Sequence, residues 1–242
     1  MKQTLFLVGA GGVIGLPLCK LLLDAGHTVY GTTRSADKAE RLAALGVKLV
    51  IVDVFDAGRL ETAVAAAKPD TVLHQLTDLP DGLNPAEMET ALVRNARIRD
   101  EGTRNLVRAA RAAGVKKIIA QSIAFIYAAG NEPHDETAPL LDFTDPAYGE
   151  TARAVHSLET RVLAGGNPGI ILRYGMLYGG ASGIAAVPPG LPPLHTDAAA
   201  YAALLALDGT ASGIYNVAEA CPQVKSDKFR RDFPAWRDDF RL

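Results

Sequence analysis

The densest chemical signal in the chain is Gly9-Ala10-Gly11-Gly12-Val13-Ile14-Gly15. These residues follow a short apolar run, Leu5 to Val8, and open an apolar stretch with helical spacing. A strand that turns at once into a helix needs a tight turn, a bare backbone and close helix–strand packing. Each demand excludes a Cβ. The new helix presents free N–H groups and a partial positive charge, which suits a pyrophosphate. Gly9, Gly11, Gly12, Val13, Ile14 and Gly15 are therefore read as the phosphate turn of a dinucleotide site.

About twenty residues further on, an acid would hold the ribose 2′-hydroxyl of NAD. The chain instead reads Thr32-Thr33-Arg34-Ser35. Arg34 can pair with a 2′-phosphate and stack on adenine. Lys38, one helical turn on, adds charge. The expected cofactor is NADP(H), with NAD(H) the alternative. Asp53 and Val54, after a third apolar run, are placed to reach the adenine, although Asp53 could equally cap the next turn. The five histidines and two cysteines show no metal-ligand spacing, so no metal site is expected.

The elements that must position these residues alternate between strand and helix. Strands are expected at Leu5 to Val8, Thr28 to Thr32, Val47 to Val52, Thr71 to Leu76, Val115 to Gln121 and Gly169 to Tyr174. Helices are expected from Ile14 to Ala25, from the Ser35 cap to Gly46, and from Leu60 to Ala67. A long helix should start at Asn84-Pro85 and run to about Ala113, and another should span about Ala147 to Ala164. This alternation implies an α/β fold, a Rossmann-type doubly wound parallel sheet with helices on both faces. Residues 1–175 are read as the dinucleotide-binding domain. Residues 176–242 are read as a small, shortened C-terminal substrate or lid region: a Gly/Pro-rich loop, an alanine-rich helix from Thr196, a strand at Ile214 to Val217 and an aromatic tail.

Composition bounds the function classes. The chain has 242 residues, 48% hydrophobic and 21% charged, with a formal net charge of −2. A net charge so near zero, with scattered basic residues, gives no electrostatic case for nucleic acid or an acidic membrane as partner. Cys19, in an apolar helical stretch, reads as a buried small hydrophobe. No apolar stretch reaches membrane-span length, and a cytoplasmic location is expected.

Further segments resemble the short-chain dehydrogenase/reductase superfamily, in its extended or atypical, epimerase/dehydratase-like branch. They are Gly102-Thr103-Arg104-Asn105-Leu106, Ser122-Ile123-Ala124-Phe125-Ile126-Tyr127, Tyr148-Gly149 and Leu172-Arg173-Tyr174-Gly175-Met176-Leu177-Tyr178-Gly179. His195-Thr196-Asp197-Ala198-Ala199 and Tyr215-Asn216-Val217 are similar to C-terminal segments of that branch. The resemblance covers about residues 4 to 218. It casts Ser122 as the group that polarises the substrate and Tyr148 as general acid/base. It brings His74, Gln75 and Leu76 against the cofactor and puts Tyr174 and Gly175 along the nicotinamide. It also implies a homodimer.

One departure matters most. The resemblance calls for a lysine four residues after the tyrosine, and Ala152 stands there. Residues i and i+4 share a helix face. A unit charge at ~4 Å contributes about 4 kcal/mol at an effective dielectric of about 20, or roughly three pKa units of the phenol. Without it Tyr148 can still donate a proton but makes a poor base, so reduction is better supported than oxidation. The C-terminal region is also short for a sugar nucleotide and better sized for a small carbonyl substrate. The expected function is an NADP(H)-dependent reductase of such a substrate. The alternatives are a non-catalytic NADP(H)-binding regulatory protein and an NAD-dependent epimerase or dehydratase.

Overall fold

The computed structural model describes residues 1–242, apart from the side chains at positions 81 and 181. Its first half runs β1 (Thr4–Val8), α1 (Gly15–Asp24), β2 (Thr28–Thr32), α2 (Ala36–Leu45), β3 (Lys48–Val50), α3 (Ala57–Ala67) and β4 (Thr71–His74). Next come α4 (Pro85–Arg97), a π turn (Ile98–Gly102), α5 (Thr103–Ala112), β5 (Lys117–Ile123), α6 (Gly149–Leu163) and β6 (Gly169–Tyr174). The remainder holds β7 (Met176–Tyr178), β8 (Pro193–His195), α7 (Thr196–Leu205), β9 (Gly213–Val217) and α8 (Asp227–Asp232).

Seven parallel strands form one sheet in the order β3-β2-β1-β4-β5-β6-β9. The chain winds outward from β1 through β2 to β3, then returns to β4 and winds the other way. The carboxyl ends of β1 and β4 thus flank the point where winding reverses, the usual ligand crevice of such sheets. Alternation along each strand sends residues to two cores. Leu5, Leu7, Leu73, Ile119, Leu172 and Tyr174 pack toward α1 and α7. Phe6, Val8, Val72, Ile118, Ala120 and Ile171 pack toward α3, α5 and α6. Cys19 lies in the first core, where burial pushes its thiol up to about 12.

Some elements differ from the sequence expectation. β3 covers only Lys48–Val50, at the sheet edge, and Ile51 is exposed. The long helix is one run in two pieces joined by the π turn. Asp100 of that turn accepts hydrogen bonds from Ser157 Oγ (2.5 Å) and Arg161 Nη2 (2.8 Å) of α6, tying it to that helix. The segment after Gly175 contributes more than loop and helix. β7 and β8 pair as a small parallel sheet, and β9 completes the edge of the main one. In the tail, Phe229, Phe233 and Trp236 are buried on the α1–α7 side, and Trp236 Nε1 donates to the Ala198 carbonyl at 3.0 Å.

Candidate active site

A cleft of about 230 Å³ opens at the carboxyl ends of β1, β2 and β4 and beside the segment after β3. The glycine turn forms its floor. Gly9 has φ +84°, and a Cβ there would lie 2.5 Å from the Gln75 carbonyl oxygen, so only glycine lets this turn sit against the end of β4. A Cβ on Gly15 would lie 2.1 Å from the Gly9 carbonyl, which fixes how closely α1 approaches β1. The Lys38 side chain runs across Gly11, 3.0 Å from where a Cβ would be.

At the outer end of the cleft Arg34 stretches between two carboxylates. Its Nη1 is 3.6 Å from Asp53 Oδ2 and its Nη2 is 3.9 Å from Asp78 Oδ2. Arg94 Nε approaches the same Asp78 oxygen at 3.2 Å. The guanidinium is 59% exposed, so it is within reach of an entering anion. A bare glycine cradle at the head of a helix suits the pyrophosphate of a nicotinamide dinucleotide, and Arg34 and Lys38 lie at its outer end.

Gly9, Gly11, Gly12, Arg34, Lys38, Asp53, Val54, Gln75 and Leu76 all line this cleft. Val13, Ile14 and Gly15 are not among its lining residues, and Ile14 packs into the α1–α7 core. His74 points inward. Its Nε2 lies 3.0 Å from Thr103 Oγ1, and its Nδ1 accepts from the Leu76 N–H at 3.3 Å. Burial, with the charge of Arg99 adding, lowers its pKa to about 4. His74 therefore shapes the cleft only through the backbone of Leu76. Tyr174 is buried beneath the edge, and Gly175 packs against Pro192 and Pro193, where a Cβ would be 2.6 Å from a carbonyl oxygen. Asp78 and Ile98 line the cleft without having been singled out from the sequence. Asp78 lies in the loop after β4, and Ile98 comes from the π turn, where no motif marks either.

The two residues cast as catalytic stand in different surroundings, one buried and one exposed. Ser122 shares the strand face of Ile118 and Ala120, toward α6. It is 4% exposed, and its Oγ donates to Glu159 Oε1 at 2.8 Å. The same carboxylate is held by Arg173, with Nε 2.7 Å from Oε1 and Nη2 2.6 Å from Oε2. Arg173 Nη1 also donates to the Tyr127 hydroxyl at 2.9 Å, which donates to Asn216 Oδ1 at 2.6 Å. The hydroxyl expected to polarise the substrate is, in this structure, engaged inside a buried ion-pair network. Tyr148 stands at the mouth of α6 with 53% exposure. Ala152 is fully buried in an apolar cluster with Ile126 and Val155, against which Ile123 and Leu140 pack.

A second, open pocket of about 470 Å³ lies between the segments that follow the carboxyl ends of β6 and β9. Tyr178, Val187, Leu191, Cys221 and several prolines form its walls. Its one charged liner among the described residues, Glu219, is already engaged. Glu219 Oε1 accepts from Tyr178 Oη at 2.8 Å and from the His195 N–H at 3.1 Å, and Arg241 Nη2 lies 3.7 Å away. Arg241 Nη2 also donates to Tyr178 Oη at 3.1 Å, so the end of the chain braces the pocket. Burial and the neighbouring Glu219 raise the Tyr178 pKa.

The model of the NAD dependent epimerase/dehydratase family matches residues 5–191. A 3-diazoavenalumate denitrifying reductase from a Streptomyces species is 39% identical over 240 residues, covering 91% of this chain and 77% of that protein. Cinnamoyl-CoA reductase 1 of Petunia hybrida is 31% identical over 155 residues, covering 60% of this chain and 43% of that protein. Among solved structures, the Bordetella bronchiseptica enzyme WbmG in complex with NAD and UDP superposes with a TM-score of 0.77 at 20% identity, covering 100% of this chain and 92% of that one. Its likeness is one of fold.

Proposed function

The chain belongs to the NAD dependent epimerase/dehydratase family and is an oxidoreductase of a nicotinamide nucleotide; from that premise we propose that it is an NADP(H)-dependent reductase of a small, largely apolar substrate. One observation carries the cofactor part. Arg34 occupies the end of β2, where a carboxylate would accept from the NAD ribose, and Lys38 lies beside it over the glycine turn. The NAD in the solved neighbour belongs to a protein that shares little sequence with this one, and Arg34 is this chain's own residue.

Gly9, Gly11 and Gly12 receive the pyrophosphate. Arg34 and Lys38 hold the 2′-phosphate, and Val54 and Asp53 border the adenine. When bound, the cofactor supplies hydride. The pocket at the ends of β6 and β9 takes the substrate's apolar body. Among the described residues it offers no free cation for a nucleotide diphosphate, which disfavours the epimerase or dehydratase reading for sugar nucleotides.

The protein's proton supply decides the acceptor. A carbonyl must gain a proton as well as hydride. Ser122 is sealed off and Ala152 brings no ammonium, which leaves the exposed phenol of Tyr148 as the donor a small carbonyl would need. The 39%-identical relative bears a name that describes reduction of a diazo compound with loss of nitrogen. At an aryl diazonium carbon, hydride forms the C–H bond, the C–N bond breaks and its electron pair leaves with N₂. No proton is needed, so this acceptor suits a site without a relay. The test is NADPH consumption above an enzyme-free control, with small aldehydes and ketones and with an arenediazonium salt. We expect diazonium reduction to survive Tyr148→Phe, and any carbonyl reduction to fall at least about tenfold. NADPH binding with no consumption of either class would favour the non-catalytic regulatory protein.

A further inference from the structure

Arg99 sits in the π turn and is only 8% exposed. Among the described residues its guanidinium makes no hydrogen bond and no ion pair. The charge that acts on it, that of Glu159, does so without a hydrogen bond, and Glu159 is already held by Arg173 and Ser122. Burial pulls the Arg99 pKa from 12.5 down to about 10, so the group is still a cation at neutral pH. A buried charge without a partner is strongly destabilising, and methionine would fill a similar volume without that cost. Among the described residues, only Gln75 Oε1 and Asn167 Oδ1 lack both a partner and accessible surface. The unpartnered nitrogens of Arg99 therefore still reach open space.

The fold says where that space lies. α4 begins after β4, at the carboxyl edge of the parallel sheet, and the run of α4, π turn and α5 leads back toward the start of β5. Thr103, the first residue of α5, is level with the last residue of β4, since its Oγ1 lies 3.0 Å from His74 Nε2. Arg99 comes four residues earlier, about one turn nearer the carboxyl edge and on the same helix face. Helical side chains lean toward the N-terminus, which carries the guanidinium further the same way. It therefore stands past the end of β4. His74 pairs with Ala120, so this is the height of Ser122, two residues further along β5. The neighbours bracket its direction: Ile98 lines the cofactor cleft and Asp100 is tied to α6.

We infer that Arg99 is a binding group for a carboxylate, set in the floor of the crevice between the end of β4 and α6. Charge and shape select the ligand class. One buried cation is balanced by one negative charge, whereas a phosphate dianion would leave a buried charge over. The planar guanidinium presents paired N–H donors that match the two oxygens of a carboxylate. His74 reports on the site, because its pKa is lowered by burial first and by the charge of Arg99 second. Nothing in this placement depends on which nicotinamide nucleotide the cleft takes.

Calorimetric titration of the cofactor-free protein with benzoate, acetate and benzyl alcohol tests this, with the His74 ring signals followed by NMR. Benzoate should bind about tenfold more tightly than benzyl alcohol; the difference should vanish in Arg99→Met and persist in part in Arg99→Lys. Tighter binding of benzoate than of acetate identifies the carboxylate as part of a larger, substrate-like ligand, and equal binding of the two identifies a free small carboxylate. The His74 signals should move when benzoate is added at neutral pH, and His74 should titrate at higher pH in Arg99→Met. Ligand-free Arg99→Met should melt no lower than the parent, because an unpaired buried charge has gone. A merely structural arginine would give a lower melting temperature in Arg99→Met and no benzoate preference in the parent, and that result overturns the inference. So does a benzoate preference that survives Arg99→Met, or a parent whose His74 signals ignore benzoate. Benzoate binding at Arg99 by a protein that binds no NADPH would uphold this site and overturn the cofactor reading alone.

Discussion

Replacing Arg34 by alanine should cost NADPH affinity and leave NADH affinity where it was. The side chain is 59% exposed, so solvent screens it and the full Coulomb value does not apply. A hydrogen bond to an ionised group nets about 1.5–3 kcal/mol. The entering phosphate must also draw Arg34 from Asp53 at 3.6 Å and Asp78 at 3.9 Å. Exposed pairs of that kind are worth up to about 1 kcal/mol each. The balance is about 1–2 kcal/mol, or roughly 5- to 30-fold in affinity. Titration calorimetry with NADPH and NADH reads it directly. The parent's NADPH preference should shrink as salt rises, because a half-exposed ion pair is screened over about 8 Å at physiological ionic strength. Asp78→Asn frees Arg34 of one competitor and should raise NADPH affinity by roughly 2- to 5-fold. Equal binding of the two cofactors by the parent, or equal weakening of both in Arg34→Ala, would refute the reasoning.

Four further outcomes follow from buried groups. Ala152→Lys puts an ammonium among Ile126, Val155 and Leu140, so it should lower the melting temperature sharply and add no turnover; a stable variant with faster carbonyl reduction would show the cluster to be an adaptable site. His74 is held neutral in the fold, its pKa lowered from 6.5 to about 4. Its share of stability is therefore complete above pH 6.5 and lost as pH falls toward 4, about 3 kcal/mol in all. Melting curves across that window should slope less in His74→Asn, and a parent indifferent to pH there would contradict the assignment. Glu159→Gln leaves Arg173 buried and unpaired and should cost about 3–5 kcal/mol in chemical denaturation. Ser122→Ala should cost about 1 kcal/mol and spare turnover, and a selective loss of turnover would return Ser122 to the chemistry.

What could be read from the sequence was mostly what the backbone decides. The glycine turn, the Ser35 cap with its Gly46 stop, and the Asn84-Pro85 helix start each follow from local stereochemistry, and each stands where it was expected. Ser122 shows the limit. Resemblance put its hydroxyl at the substrate, but strand alternation already grouped it with Ile118 and Ala120 on the helix-packed face. The partners that claim it, Glu159 and Arg173, lie 37 and 51 residues away in the chain and meet it only through the fold. The π turn was invisible because Ile98-Arg99-Asp100-Glu101-Gly102 carries no break in helix-forming residues apart from its last position. The strands β7 and β8 have three residues each, too few to show a period. In the tail, the aromatic spacing was legible. Its destination in the core beneath β9 and α7 was not, since several faces could have accepted it.

The same division bears on the chemistry. The cofactor half of the site is built from backbone and a few surface cations, which tolerate water. The edge beyond it is apolar: Ile126 is buried with Ala152 and Val155 of α6, and Ile123 and Leu140 pack against them. A charge placed there would lose its hydration with no partner to replace it. Proton transfer through such a region is costly, since it needs an ionised donor or base at some stage. Hydride transfer carries no such demand of the protein, because the reducing equivalent comes from the cofactor and a good electrophile accepts it directly. The replacement of the lysine position by buried alanine, and the enclosure of Ser122 by Glu159, therefore point in one direction. On the proposed reductase reading, the substrate must bring its own driving force, either a leaving group that departs with its electron pair or a carbonyl reactive enough to be served by one solvent-exposed phenol.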